Sequence, residues 1–140
     1  MPYLKVYTHL VWTTKNREPY LSTPELRAVV WKHIKDYGLT KGIIVDQING
    51  FTQHCHCLVL LNATMPISKV LHLLKGESSH WINEQGLCVT KFEWQNDYWG
   101  VSVGLAELTR IREYICNQED HHMDKSFDDE CKDLDIHFED

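Results

Sequence analysis

His54-Cys55-His56 opens an apolar run, Cys57-Leu58-Val59-Leu60-Leu61, and near the other end of the chain Tyr114 and Gln118 stand four residues apart. Side chains alternate along a strand, which places His54 and His56 on one face and Cys55 and Cys57 on the other. Residues i and i+4 of a helix share one stripe. Each short signature therefore presents a pair. Two imidazoles and an amide oxygen suit a three-ligand site for a divalent metal, and a tyrosine beside it suits a nucleophile. In isolation each pair has a plainer reading: histidines hydrogen-bonded across a sheet, an aromatic anchoring a helix, a solvated glutamine.

Zinc held by all four of His54, Cys55, His56 and Cys57 is excluded by that alternation, because thiols and imidazoles leave the strand on opposite sides. Cys55 and Cys57 are then small core hydrophobes. The five cysteines are odd in number and lack a CxxC spacing, so reduced thiols are expected rather than a disulfide framework.

The elements that must position these residues follow from pattern. Leu4 to Thr13 reads as a strand, followed by a basic loop with Lys15 and Arg17. Thr23 as N-cap, Pro24 at the first position and Gly38 as the stop bracket a helix whose buried stripe is Leu26, Val29, Val30, Ile34 and Tyr37. Lys41 to Ile48 and Phe51 to Leu61 read as a hairpin turning at Asn49-Gly50. Pro66 to Glu84 reads as a second helix, carrying Lys75 in a polar interruption of its stripe. Val89 to Trp94 and Val101 to Val103 read as short strands, and Leu105 to His121 as the last helix. The order β-α-β-β-α-β with a terminal helix predicts an α+β, ferredoxin-like (split βαβ) antiparallel sheet, with helices on one face plus a C-terminal tyrosine-bearing helix.

The chain has 140 residues, 43% of them hydrophobic, which suits one compact domain. Its net charge of −6 looks wrong for a nucleic-acid protein until it is divided along the chain. Residues 1 to 118 hold 12 Lys and Arg against 10 Asp and Glu, whereas residues 119 to 140 hold 2 against 10. A domain over 1–122 with an acidic tail over 123–140 is expected, the tail solvated or loosely ordered unless Leu134, Ile136 and Phe138 dock it. No apolar run reaches the roughly 20 residues of a membrane span, and the start lacks a signal peptide's order, so a cytoplasmic protein without membrane contact is expected.

Joined, the motifs resemble those of a known family. His-Cys-His in a strand, the segment Trp94 to Val103 (Trp-x-x-x-Tyr-x-Gly-x-Ser-Val), and the run Glu113 to His122 around Tyr114 and Gln118 are similar to the single-tyrosine HUH transposases of insertion sequences, REP-associated tyrosine transposases included. His9 to Arg17 and Leu74 to Ser79 fit as well, so the likeness runs from about Tyr7 to His122. Two departures stand out: Cys55 replaces the larger hydrophobe usual between the histidines, and Asp97 replaces the glycine before Tyr98.

The resemblance implies that His54, His56 and Gln118 ligate Mg²⁺ or Mn²⁺ and that Tyr114 attacks a phosphodiester. It implies a transposase that cleaves and rejoins single-stranded DNA at hairpin-bearing ends through a 5′-phosphotyrosine. Lys15, Arg17 and Lys75 are candidate DNA contacts, and the working unit is expected to be a homodimer whose tyrosine helix serves its own or its partner's histidines. The alternative is a domesticated or catalytically silent module of the same fold that binds single-stranded or hairpin DNA.

Overall fold

The structure is a computed structural model and describes residues 3–138. Four strands form one antiparallel sheet in the order β2-β3-β1-β4: β1 Tyr7–Thr13, β2 Ile44–Phe51, β3 His54–Leu60 and β4 Trp99–Val103. The histidine strand β3 is central, paired with β1 and β2, and its register sets Val11 against His56 and Thr13 against His54. Helices α1 (Pro24–Thr40) and α2 (Ile67–Glu84) cover one face. Leu10, Trp12, Cys55, Cys57 and Val59 point into that layer and pack with Val30, Ile34, Val70 and Leu74. The opposite face carries His9, Val11, His54, His56 and Leu58, all buried, beneath α3 (Leu108–Cys116), α4 (Gln118–Asp124) and α5 (Phe127–Leu134). Period-two alternation thus separates an apolar core from a polar site across one sheet.

Several boundaries differ from those read in the sequence. The hairpin turns at Thr52-Gln53 rather than Asn49-Gly50, since Gly50 pairs with Cys55 inside the ladder. A Cβ at Gly50 would meet the His54 carbonyl oxygen at 2.1 Å, so glycine serves close backbone approach there. Gly38 likewise lies inside α1, where a Cβ would sit 3.2 Å from the Ile43 carbonyl, and the left-handed turn residue is Gly42 at φ +73°. Val89 to Trp94 forms no strand; its trace in the sheet is one bridge from Trp94 to Thr14. The last helix divides at Asn117, so Tyr114 and Gln118 belong to successive helices, yet Asn117 N–H still bonds to Glu113 and His121 N–H to Asn117, which preserves their one-turn offset.

The acidic tail is docked. Ser126 caps α5 by accepting from Asp129 N–H, and Phe127, Cys131 and Ile136 bury against Val11, with Trp99, Leu134 and Phe138 packed around them. Net charge concealed this amphipathic stripe, which outweighs the solvation of the flanking acids.

Candidate metal and tyrosine centre

Three ties hold the tyrosine segment against β2 and α1, beside the histidine strand. Arg112 on α3 forms a two-pronged pair with Asp46 of β2 at 2.8 and 2.7 Å. Arg27 of α1, only 3% exposed, holds Glu119 at 2.7 and 2.6 Å and also donates to the Leu21 carbonyl. Asn49 Nδ2 donates to the Cys116 carbonyl at 3.1 Å. Planar guanidinium forks fix orientation as well as distance, so both helices are aimed.

The aim is at one point. His54 Nε2 lies 3.1 Å from Gln118 Oε1, and the Tyr114 ring packs edge-on to His56 with centroids 5.6 Å apart. The outer nitrogens are engaged elsewhere: His56 Nδ1 meets His9 Nε2 at 2.9 Å, and His54 Nδ1 meets Gln53 Oε1 at 3.2 Å. Each imidazole therefore turns Nε2 inward, as a ligand held by a second partner does. Burial lowers the pKa of His54 to about 4 and that of His9, beside His56, to about 3. Neutral imidazole is the ligating form. His54 Nε2 and Gln118 Oε1 are thus adjacent, and His54, His122 and Glu130 offer ligand atoms within 4.8 Å of one another that could hold a metal ion, a group that does not include His56.

Sequence reading missed Glu130. This carboxylate, from α5, is fully buried at the centre of the site. Its Oε1 lies 2.9 Å from His56 Nε2, 3.2 Å from His54 Nε2 and 3.3 Å from His122 Nε2. Its Oε2 accepts from the Tyr114 hydroxyl and from Gln118 Nε2 at 3.0 Å, and His121 Nε2 lies 3.3 Å away. Burial alone would raise the Glu130 carboxyl, but hydrogen bonds from His122, His54 and His56 hold it well below the usual carboxylate range. Burial, together with the Glu130 carboxylate as hydrogen-bond partner and as charge, raises the Tyr114 phenol above its ordinary value. The signal was faint: one carboxylate among ten acidic residues past position 118, marked only by its place beside Phe127 and Cys131 in an amphipathic turn.

Of the basic candidates, only Arg17 lies beside this centre. Arg17 pairs with Asp128 and its guanidinium sits 5.2 Å over the Phe127 ring. Lys15 and Lys75 line a cleft of about 630 Å³ with Asn16, Trp94 and Tyr98, separate from the histidines. Lys75 is already engaged, its ammonium donating to the carbonyls of Gln95 at 2.6 Å and of Asp97 at 3.2 Å.

The fold agrees with what comparison with known proteins finds. Residues 3–118 match the family described as "Transposase IS200 like", and the chain belongs to that family. Its fold is similar to that of a candidate transposase from Deinococcus radiodurans R1, at 21% identity and TM-score 0.65 over 84% of this chain and 95% of that one. It is also similar to a REP-associated tyrosine transposase solved bound to a REP hairpin, at 17% identity and TM-score 0.62 over 87% of this chain and 72% of that one. A search among curated proteins gives no significant match. No helix among the described residues is long and apolar enough to cross a membrane.

Proposed function

We propose that this transposase-family chain cleaves and rejoins single-stranded DNA at hairpin-bearing ends through Tyr114. The observation that carries the reading is the span of one carboxylate: Glu130 touches the Tyr114 hydroxyl with one oxygen and the His54 and His56 nitrogens with the other. A scissile phosphate is of similar reach, so the same gap seats a phosphate between nucleophile and metal ligands. His54, His56 and Gln118 would hold Mg²⁺ or Mn²⁺, which supplies neutralisation of charge developing on the phosphate and the leaving oxygen.

In the reaction the Tyr114 oxygen bonds to phosphorus as the bond to the 3′ oxygen breaks, giving a 5′-phosphotyrosine and a free 3′-hydroxyl. The phenol proton is lost to the surroundings and the departing oxygen gains one. Exchange of one phosphodiester for another needs no water or energy-rich cofactor, which suits excision and insertion as paired strand transfers. Lys15, Arg17 and Lys75 serve as DNA contacts; Arg17 already binds an anion, Asp128, whereas Lys75 would have to release carbonyls. The hairpin in the REP-bound relative supports hairpin ends as substrate. A homodimer through the edge strands β2 or β4 would hold two DNA ends together.

Incubation of the protein with a single-stranded hairpin oligonucleotide and Mn²⁺ tests this. A denaturation-resistant adduct is expected from the wild type and none from Tyr114→Phe, with hairpin binding retained. An undiminished adduct in Tyr114→Phe overturns Tyr114 as nucleophile, and no adduct from either, with binding intact, favours the silent hairpin-binding module.

A further inference from the structure

We propose that the metal centre of this chain has two additional ligands, His122 and Glu130, so that the docked C-terminal segment is part of the coordination shell. The inference rests on the reading of His54, His56 and Gln118 as a metal site and enlarges it.

The polar atoms around the centre are grouped as the ligands of a cation would be: His54, His122 and Glu130 each offer one ligand atom, all within 4.8 Å of one another. His54 Nδ1 faces Gln53 Oε1, and His122 Nδ1 faces the Lys125 carbonyl at 2.9 Å. Both partners only accept, so each ring donates outward from Nδ1 and turns Nε2 toward the centre. Gln118 Nε2 donates to Glu130 Oε2, which orients the amide with Oε1 toward the imidazoles. Gln118 Oε1 then lies 3.1 Å from both His54 Nε2 and His122 Nε2. Glu130 Oε1 closes the figure at 3.2 Å from His54 Nε2 and 3.3 Å from His122 Nε2.

Four ligand-type atoms thus form a ring with sides of 3.1, 3.1, 3.3 and 3.2 Å. A single divalent ion satisfies all four. Sides near 3.2 Å put the centre at about 2.0 Å from each donor if the ring is folded tetrahedrally and about 2.3 Å if it is flat, the range of bonds from divalent metals to nitrogen and oxygen. His56 Nε2 reaches this ring through Glu130 Oε1, at 2.9 Å. Three imidazoles with one carboxylate select a first-row transition ion such as Mn²⁺ or Co²⁺ over Mg²⁺.

The tail is built to deliver its carboxylate. Phe127 stacks on His54 at 4.0 Å between centroids, interplanar angle 18°, and the Arg17–Asp128 pair anchors the first turn of α5. Glu130 lies one turn beyond Phe127, on the same buried side of the helix.

Calorimetric Mn²⁺ titration of the full chain, with visible absorption of the Co²⁺-loaded protein, tests the assignment without reference to DNA cleavage. Glu130→Gln and His122→Gln are each expected to weaken Mn²⁺ binding at least tenfold and to shift the Co²⁺ bands. Glu130→Asp keeps the charge but shortens the reach, and the same weakening is expected; it also serves should Glu130→Gln fail to fold. Wild-type affinity and spectrum in these variants, with binding lost in His54→Ala, would leave the smaller site standing and overturn the added ligands. Wild-type affinity in His54→Ala as well would overturn the metal reading itself.

Discussion

The Tyr114 hydroxyl donates to Glu130 Oε2 while the other oxygen of that carboxylate lies 2.9 Å from His56 Nε2. The residue proposed to attack DNA is therefore bonded to an acid that fills the space a phosphate needs. In the proposed reaction the scissile phosphate takes the place of the Tyr114–Glu130 contact.

Removing the acid should speed the first chemical step once loss of metal affinity is compensated. A hydrogen bond to a charged group contributes about 1.5–3 kcal/mol, so at saturating Mn²⁺ Glu130→Ala should form the tyrosyl adduct roughly 10- to 100-fold faster in single turnover. A rate equal to or below that of the wild type under saturation would show that Glu130 does not restrain Tyr114.

His9 is predicted to act through His56. Their nitrogens meet at 2.9 Å in a buried pair, which fixes how the His56 ring turns. Replacing such an outer partner typically lowers metal affinity on the order of 10- to 100-fold. His9→Phe should raise the Mn²⁺ concentration for half-maximal cleavage accordingly while the maximal rate changes less. A fall in maximal rate with an unchanged Mn²⁺ requirement would assign His9 another role.

The paired arrangement of the histidines was legible in the sequence because strand alternation is a local rule, and the separation of Cys55 and Cys57 from His54 and His56 obeys it. Tyr114 and Gln118 were legible as neighbours for the same reason, although the break at Asn117 was not. What escaped was long-range. Asn49-Gly50 carries the dipeptide of a tight turn, but its position was decided by the approach of Gly50 to the His54 backbone. Glu130 looks like any solvated acid until α5 is docked, because its role comes from residues 74 and 76 positions away along the chain. Formal charge described the tail's average and hid its one buried carboxylate.

Arg27 should matter to both stability and chemistry. Its side chain is buried and its fork holds Glu119, next to Gln118. Breaking a buried pair by removing one partner costs on the order of 3 kcal/mol. Arg27→Met should lower the unfolding free energy by about that order, with Glu119 partly relieved by its exposure, and should slow adduct formation in the fraction that remains folded. Unchanged denaturant midpoint would mean the pair contributes little.

Lys75 gives a pH prediction away from the metal centre. Burial, partly offset by the charge of Asp97, lowers its pKa to about 8 from an ordinary 10.5. Between these values the unfolded chain binds the proton more readily than the folded one, so raising the pH across the window adds stability through this group. Below pH 8 the contribution is flat. Thiols and phenols titrate in the same range, so the measurement is a difference. The unfolding free energy of the wild type minus that of Lys75→Met should rise from pH 8 to pH 10, by at most about 1.4 kcal/mol per pH unit. A flat difference would mean that Lys75 keeps its ordinary pKa.

The last prediction concerns which subunit completes each site if the chain acts as a dimer. Gly100 and Gly104 precede α3, and such a segment invites exchange of the tyrosine helix between partners. Here the helix sits on its own sheet, tied by Arg112–Asp46, Arg27–Glu119 and the Asn49–Cys116 bond, with Tyr114 beside its own His56. Exchange would have to break two guanidinium forks and re-form them on the partner. Mixing a Tyr114→Phe chain with a His54→Ala chain separates the arrangements, because only exchange unites an intact tyrosine with intact histidines. From verified heterodimers no cleavage should be recovered, matching sites built within one chain. Recovery approaching half of the wild-type rate would instead mean that the helix crosses over in the working complex, and that the ties seen here belong to a state preceding it.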